Sequence, residues 1–250
     1  MLDIVKFPVR CARSLLRKGG IEIRRRSLYS AQSLQLVRML EHLGINLVLD
    51  VGANAGQYGA ELRRDGYRGR IVSFEPLAAP HRALEQAAQR WGHWQAAPRM
   101  ALGATEGDIE IHVAGNSVSS SILDMLSRHE RVAPESAYVS SERVPLRRLD
   151  GVAGEYLDGS SRVLLKIDTQ GYEEPVLAGA AGLLHRIAAI QVELSLVPLY
   201  ADQRLFDEMR AMIGSLGFEL FAVLPGLLDE RTGQTLQLDG FFVRKGIAPR

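Results

Sequence analysis

The feature that most constrains this fold is an apolar run that turns at once into a glycine-containing loop. Leu47–Leu49 leads into Asp50–Gly56, and this pattern predicts a strand, a tight turn and a helix that starts near Gln57. Gly52 and Gly56 lack a Cβ, as such a turn requires for unusual backbone angles and for close approach of a ligand. The first N–H groups of the helix would favour a carboxylate or a phosphate.

A second acid closes the next apolar run along the chain. Glu75 follows Ile71–Phe74 and lies 25 residues after Asp50. Dinucleotide-binding folds place at this distance the acid that accepts hydrogen bonds from ribose hydroxyls. A bare strand-to-helix turn explains the glycines but not the two acids together. The two strand ends therefore predict a site for a nucleoside-containing cofactor, either NAD or S-adenosylmethionine.

The glycine spacing favours S-adenosylmethionine over NAD. Gly52-x-x-x-Gly56 lacks the middle glycine of G-x-G-x-x-G, which lets the backbone approach a pyrophosphate. A loop that opens with an acid, as Asp50 does, and continues with glycine and Asn54 is closer to another pattern. It is similar to the loop that holds the amino-acid end of S-adenosylmethionine in class I methyltransferases. The loop therefore favours a methyltransferase.

Length and composition are typical of one α/β domain with an N-terminal extension. The chain has 250 residues, of which 46% are hydrophobic and 24% charged. We expect a basic, largely helical extension over residues 1–45 and the main domain over residues 46–250. Cys11 is the only cysteine, which excludes an intramolecular disulfide and favours a reducing compartment. No apolar stretch approaches the 18 residues of a membrane span, so we expect a cytoplasmic protein.

The start of the chain is strongly basic. Residues 1–30 contain eight Lys or Arg against two acids, whereas the rest of the chain is mildly acidic. Apolar and basic residues alternate there, which favours either peripheral membrane contact through residues 1–26 or a helix packed on its own domain. A dimer arm, and hence a homo-oligomer, is also left open. Arg24–Arg26 is too short a basic run to predict nucleic-acid binding.

Short apolar runs alternate with longer periodic stretches along the rest of the chain. This pattern predicts a parallel sheet with covering helices, and residues 114–145 form a long, serine-containing loop of the kind that is usually functional. The predicted strands are 47–51, 71–75, 95–101, 108–113, 163–168, 190–193, 218–224 and 236–243. The predicted helices are 28–42, 56–65, 79–91 and 203–215, with another that begins after Glu173 and ends near Leu184.

Four acids end strands of the predicted sheet. Asp168 ends the run Val163–Ile167, and Glu193 ends the following one. In an open α/β sheet, ligands bind outside the carboxyl ends of the strands. We therefore expect these two acids to line the same rim as Asp50 and Glu75.

Several separated motifs are similar to those of one known family. They are Asp50–Asn54 with Gly56 and Tyr58, Phe74–Pro76, Ala101–Gly103, the serines near Ser120, Leu165–Glu173 and Val192–Ser195. With these motifs the chain resembles the FkbM family of S-adenosylmethionine-dependent methyltransferases, from about residue 46 to residue 244. The resemblance implies a class I methyltransferase (Rossmann-like) fold, with a seven-stranded, mostly parallel sheet, a reversed final strand and helices on both faces. It also implies O-methylation of a sugar, glycolipid or natural-product intermediate.

The implied reaction needs a group that removes a proton from a weakly acidic alcohol. Asp168 is the first candidate, either as general base or as a ligand of a divalent metal such as Mg²⁺, with Glu193 as a second oxygen ligand. Each acid could instead have a purely structural role. A carboxylate at a helix start, for example, accepts backbone N–H bonds. His129 follows the serine loop and is a third candidate base, although isolated histidines are usually structural.

For the cofactor, we expect Asp50, Gly52 and Asn54 to surround the methionine end, with Gly56 opening the helix behind them. Glu75 would accept the ribose hydroxyls. Ala101 and Leu102 would lie beside the adenine. These six positions and Gly56 form the predicted cofactor site.

Two other classes of function compete with this interpretation. An NAD-dependent oxidoreductase or sugar epimerase shares the first strand, turn and helix, but the chain lacks a Tyr-x-x-x-Lys pair. A non-enzymatic scaffold would use the basic N-terminus to dock beside a glycolipid or polysaccharide assembly system. The sequence does not identify the acceptor, because one sheet hosts many chemistries through its loops.

Overall fold

A seven-stranded sheet forms the centre of the protein in the computed structural model, which describes residues 26–28 and 30–247. Five neighbouring strands run parallel to one another, the next strand is reversed, and the edge strand beyond it runs in the same direction as the first five. Seven strands with one reversed confirm the predicted class I methyltransferase fold. From edge to edge the strands are β3 (Trp94–Ala96), β2 (Arg70–Phe74), β1 (Leu47–Val51), β7 (Val163–Ile167), β8 (Ile187–Ser195), β12 (Gln237–Arg244) and β9 (Phe218–Pro225).

Helices cover both faces of this sheet and bury two separate apolar clusters. β1 shows why, because its side chains alternate between the faces: Leu47, Leu49 and Val51 belong to one cluster and Val48 to the other. The helices on the Val48 face are α1 (Gln32–His42), α2 (Gln57–Arg64) and α3 (Ala78–Gln89). The helices on the opposite face are α5 (Leu149–Val152), α6 (Glu173–Gly179) and α7 (Phe206–Ser215).

A smaller sheet lies beside the main one. The segment between two of its strands reaches the carboxyl ends of the strands of the main sheet. Its strands are β4 (Ala101–Leu102), β6 (Tyr138–Arg147) and β5 (Gly107–Ala114), in that order. Between β5 and β6 lies the short helix α4 (Ser127–Val132). A hairpin of β10 (Leu228–Asp229) and β11 (Gln234–Thr235) follows β9.

The four largest differences from the predicted elements are the following. The segment 114–145 is not irregular throughout, because its last part is β6, whose exposed polar residues hide the strand pattern. The predicted strand 95–101 is split into β3 and β4, which belong to different sheets. The helix after Glu173 ends at Gly179, and residues 181–186 continue as a 3-10 helix. The first helix begins at Gln32 rather than at residue 28, since Ser27 and Ser30 form a turn before it.

The predicted N-terminal extension is described only in part. Residues 1–25, with Cys11 and most of the basic segment, lie outside the described residues. From the described part, α1 buries Leu36, Val37 and Leu40 in the same apolar cluster as Val48 of β1. Across residues 26–28 and 30–247, no helix has the length and apolar character needed to cross a membrane.

Gly179 ends α6 at a point where the chain has no space for a side chain. A Cβ at this position would come closer than 3.0 Å to the backbone oxygen of Gly103, the residue that follows β4. We expect Gly179→Ala to lower the free energy of unfolding by about 1–3 kcal/mol, as overpacking does elsewhere. Chemical denaturation measures this change.

The matched control is Gly214→Ala in α7. Here a Cβ would meet no atom within 4 Å, and the backbone is helical. The same substitution should therefore stabilise the protein by about 0.5 kcal/mol. Equal stability of the two variants would contradict the close contact described between Gly179 and Gly103.

Candidate active site

The loop after β1 has the backbone conformation that its glycines predict. Gly52 has φ +76° and Gly56 has φ +85°, both in the left-handed region. A Cβ on Gly52 would come closer than 3.0 Å to the backbone oxygen of Asp168, so β1 and β7 can approach only with glycine here. Gly56 is the N-cap of α2 and packs against Trp94. The start of α2 at Gln57 is confirmed.

Glu75 lies immediately after β2 and is almost fully buried. Its Oε2 accepts a hydrogen bond from the backbone N–H of Asn54 at 2.8 Å, and its Oε1 accepts one from that of Leu77 at 2.9 Å. Burial nevertheless raises the pKa of Glu75 to about 7, because desolvation outweighs these two bonds. A carboxylate has about four acceptor positions, so each oxygen can accept a further hydrogen bond from a ligand.

A cleft opens beside this carboxylate at the carboxyl ends of the strands. Its empty volume, counted to the open mouth, is about 590 Å³, within the range of small-molecule sites. Its floor and sides are mainly apolar, with a few polar groups that converge on the space. The predicted site residues that line it are Gly52, Asn54, Glu75, Ala101, Leu102 and Asp168.

The outer wall of the cleft is the segment between β5 and β6. Ser117, Val118 and residues 120–122 line the space. The amide of Asn54 donates to Ser117 Oγ at 3.1 Å, so the wall is joined to the loop after β1. Ser117 has φ +60° and Asn54 has φ +47°, and such left-handed non-glycine residues are often found at functional sites.

Asp50 lies under the cleft rather than on its surface, because its side chain points towards the α1–α2 face of the sheet. It is fully buried. Ser73 Oγ donates to its Oδ2 at 2.9 Å, and the indole of Trp94 donates to the same Ser73 Oγ at 3.0 Å. The other carboxylate oxygen lies 3.2 Å from Lys166 Nζ. Asp50 is thus connected to the cleft through Lys166.

Lys166 is a buried cation between two carboxylates. Its Nζ lies 3.2 Å from Asp50 Oδ1 and 3.4 Å from Asp168 Oδ2, and 3.5 Å from the carbonyl oxygen of Gly52. The ring of Tyr58 lies 5.1 Å from the same atom. Burial alone would lower the pKa of Lys166, but the carboxylates of Asp50 and Asp168 raise it above its usual value. The ammonium is therefore charged at any physiological pH.

Asp168 and Glu193 lie near each other at the rim and share one amide. The side-chain nitrogen of Gln170 donates to Asp168 Oδ1 at 2.8 Å and to Glu193 Oε2 at 3.0 Å. Gln237 donates to the same Glu193 oxygen at 2.8 Å. Burial raises the pKa of Glu193 well above its usual value, and the neighbouring Asp168 raises it further. Asp168 is the more accessible acid, with 37% of its side chain exposed.

His129 lies behind this pair and is not among the cleft-lining residues. Its ring packs edge-on against Tyr200, with 5.1 Å between the centroids, and burial lowers its pKa. The hydroxyl of Tyr200 donates to Gln170 Oε1 at 2.7 Å. These contacts connect His129 to the acids indirectly, through Tyr200 and Gln170.

Three polar residues at this site were not singled out from the sequence. Lys166, Gln170 and Tyr200 form the contacts that hold the two acids. For Lys166 a signal exists, because it is a lone charge inside the apolar run of β7, and a buried lysine needs a partner. No comparable signal marks Tyr200, which reaches the site from the distant loop after β8.

The predicted metal site has no support in the side-chain arrangement. Within the described ranges 26–28 and 30–247, no group of three or more His, Cys, Asp or Glu side chains is placed to hold a metal ion. Lys166 and the amide of Gln170 occupy the positions beside Asp168 where a cation would bind. The site therefore gives no role to Mg²⁺ in the proposed reaction.

A family model and one relative match this chain. Residues 50–220 match the model of the methyltransferase FkbM domain. The antimetabolite synthetase AmbE of Pseudomonas aeruginosa is 30% identical over 166 residues, which are 53% of this chain but only 8% of that protein. The chain therefore spans a small fraction of this curated relative.

Two solved methyltransferase structures are similar to this chain at low sequence identity, and the first of them shows the same fold. A putative methyltransferase from Thermobifida fusca has a TM-score of 0.50 at 12% identity, with 86% of this chain and 79% of that chain covered. The magnesium protoporphyrin IX methyltransferase of Synechocystis has a TM-score of 0.47 at 12% identity, with 98% and 86% covered.

The family match covers more than half of the chain and includes the loop after β1, Glu75 and Asp168. It makes S-adenosylmethionine the cofactor, and it replaces both the oxidoreductase and the scaffold alternatives. The chain belongs to the FkbM family of S-adenosylmethionine-dependent methyltransferases.

Proposed function

We propose that this chain transfers the methyl group to a hydroxyl of a sugar, glycolipid or natural-product intermediate, with Asp168 as the group that receives the proton. The observation that carries this proposal is the position of Asp168. Its carboxylate lines the cleft, is partly exposed and is held between Lys166 and Gln170. A positioned carboxylate of this kind can act as a general base.

The remaining groups at the site orient the reactants. S-adenosylmethionine supplies an activated methyl group on a sulfonium, so the protein mainly has to align the acceptor oxygen with it. Gly52 and Asn54 would hold the methionine end, Glu75 the ribose hydroxyls, and Ala101 and Leu102 the adenine. These assignments follow from the residues that line the cleft.

Glu193 and His129 have other roles in this proposal. Glu193 accepts hydrogen bonds from Gln170 and Gln237, so it fixes the amide that in turn holds Asp168. His129 is assigned no proton transfer, since Tyr200 lies between its ring and the acids. Asp50 acts from below the cleft through Lys166.

The acceptor class is supported by the family and by the relative. AmbE is named as an antimetabolite synthetase, which is consistent with a small-molecule acceptor. We extend the proposal to a soluble protein of the cytoplasm without nucleic-acid partners. The proposal also includes peripheral membrane contact through residues 1–26, a homo-oligomer and a domain boundary near residue 45.

An acceptor screen tests the reaction. The purified protein is incubated with S-adenosylmethionine labelled in its methyl group and with a panel of glycosides, glycolipids and hydroxylated peptides. Amine acceptors of matched size are included. Label should enter a hydroxyl compound as a base-stable ether. Label found only in amines would contradict O-methylation, although the methyltransferase assignment would stand.

Glu75 should make cofactor binding dependent on pH. Its pKa is about 7 in the free protein, and hydrogen bonds from ribose hydroxyls favour the ionised carboxylate, so the pKa is lower in the complex. Affinity should level off at about one pH unit above this pKa, where Glu75 is ionised in the free protein. It should fall as the pH drops from 7.0 to 5.5, by up to about tenfold per unit, because binding then releases a proton. Calorimetry in two buffers of different ionisation enthalpy measures both effects.

Glu75→Gln and Glu75→Ala are the matched variants for this experiment. Glu75→Gln has no charge to titrate, so its affinity should vary less than twofold over the same range. Glu75→Ala should weaken binding by about 1–3 kcal/mol at pH 7.5. Wild-type affinity in Glu75→Ala would remove this residue from the ribose site.

A further inference from the structure

Lys166 connects the loop after β1 to Asp168, the acid that receives the acceptor proton in the proposed function. β1 and β7 are neighbours in register, with Asp50 paired to Lys166. The ammonium lies 3.2 Å from Asp50 and 3.4 Å from Asp168, so one cation contacts a carboxylate from each strand end. An ammonium group has three N–H donors, and three oxygens, of these two carboxylates and of the Gly52 carbonyl, lie within 3.5 Å of Lys166 Nζ.

The two carboxylates differ in what else holds them. Asp50 is fully buried and also accepts a hydrogen bond from Ser73, so its position is fixed by the sheet. Asp168 is partly exposed, and its other oxygen is held by Gln170. A partly exposed carboxylate with one partner removed can turn towards water. Lys166 therefore limits where the Asp168 carboxylate can lie.

The position of Asp168 matters for a cationic ligand. A carboxylate at the cleft surface attracts a sulfonium, and this attraction depends on the distance between the charges. S-adenosylhomocysteine, the product, has no charge on its sulfur. The difference in affinity between the two ligands therefore depends on the distance between the Asp168 carboxylate and the sulfur.

We propose that Lys166 is a positioning residue, which uses the fixed carboxylate of Asp50 to hold Asp168 beside the sulfonium of the cofactor. It thereby strengthens the binding of the charged methyl donor relative to that of the uncharged product. The inference uses the proposed place of Asp168 next to the reacting methyl group. It concerns the arrangement of charges, and it holds for any acceptor.

The test removes the cation and its buried partner together. Lys166→Met alone leaves Asp50 buried without a counter-charge and risks unfolding, so Asp50→Asn/Lys166→Met is the working variant. Its melting temperature is measured first and should stay within a few degrees of wild type. Calorimetry then gives the dissociation constants of S-adenosylmethionine and S-adenosylhomocysteine. We expect the first to rise at least tenfold and the second less than threefold.

The same pair is then removed in an Asp168→Asn background. If Lys166 acts through Asp168, the ratio of the two dissociation constants should change less than twofold there. An equal change in both backgrounds, or an unchanged ratio in the first, would overturn the proposal. Equal weakening of both ligands would reduce Lys166 to a structural role. Failure of the wild-type protein to bind either ligand would instead count against the cofactor assignment.

Arg70 and Asp158 provide a matched control pair. They form an ion pair of 3.1 Å at the opposite end of the strands, and both are exposed. Arg70→Met/Asp158→Asn removes the same charges from the protein as the working variant does. Both dissociation constants should equal those of wild type. A shift of the ratio in this control as well would show an effect of overall charge and would overturn the proposal.

Discussion

Gly52→Ala is expected to lose at least about a hundredfold in affinity for S-adenosylmethionine, since misplaced binding groups have effects of this size. The reason is steric. A Cβ at this position would come closer than 3.0 Å to the backbone oxygen of Asp168, and φ of +76° is a left-handed angle that side chains rarely adopt. The loop after β1 must then move away from β7. Calorimetric titration measures the loss.

The stability of this variant should fall as well, by about 2–4 kcal/mol, because overlap and backbone strain add. Gly92→Ala is the control, because a Cβ there meets no atom within 4 Å and φ is not left-handed. Cofactor affinity in the control should match that of wild type. A wild-type affinity of Gly52→Ala for the cofactor would contradict the close contact described between the loop and Asp168.

Asp168→Asn is expected to lower the rate of methyl transfer by a factor of about 10²–10⁴ at saturating cofactor, the range typical for loss of a general base. Asparagine has the same shape and can still accept a hydrogen bond from Gln170, but it cannot take up the proton of the acceptor. The acceptor found in the screen is used for single-turnover measurements. Saturating cofactor separates this effect from any change in binding.

Two comparisons make the result specific to Asp168. Glu193→Gln should reduce the rate less, because Glu193 acts through Gln170 rather than on the acceptor. His129→Asn should change it least, since Tyr200 separates the ring from the acids. A rate in Asp168→Asn within threefold of wild type would remove Asp168 as the base. A large loss in His129→Asn would point to a proton path through Tyr200.

The local parts of the fold could be predicted because their signals are short. β1, the loop and the start of α2 lie within a few residues, where glycine positions and apolar runs are informative. Glu75 at the next strand end was located by the same logic, and the structure places it in the cleft. The family resemblance implied a seven-stranded, mostly parallel sheet with a reversed final strand, and this architecture is confirmed.

Non-local pairing explains what could not be predicted. β6 was missed because its residues are largely exposed and it pairs with β5 across a long segment. The place of Asp50 beneath the cleft follows from the alternation of side chains along β1, an argument that needs the sheet to be known. Tyr200 lies 30 residues after Gln170, and only the folded chain brings the two together.

The wall between β5 and β6 also bears on how ligands exchange. It is joined to the cofactor loop by two hydrogen bonds between Asn54 and Ser117, and to the loop after β7 by one from Ser121 to the carbonyl of Gln170. Contacts of this kind are individually weak and open on microsecond to millisecond timescales. In many enzymes the release of product, rather than chemistry, limits turnover. We therefore expect a wall held by so few side-chain hydrogen bonds to let the spent nucleoside leave readily.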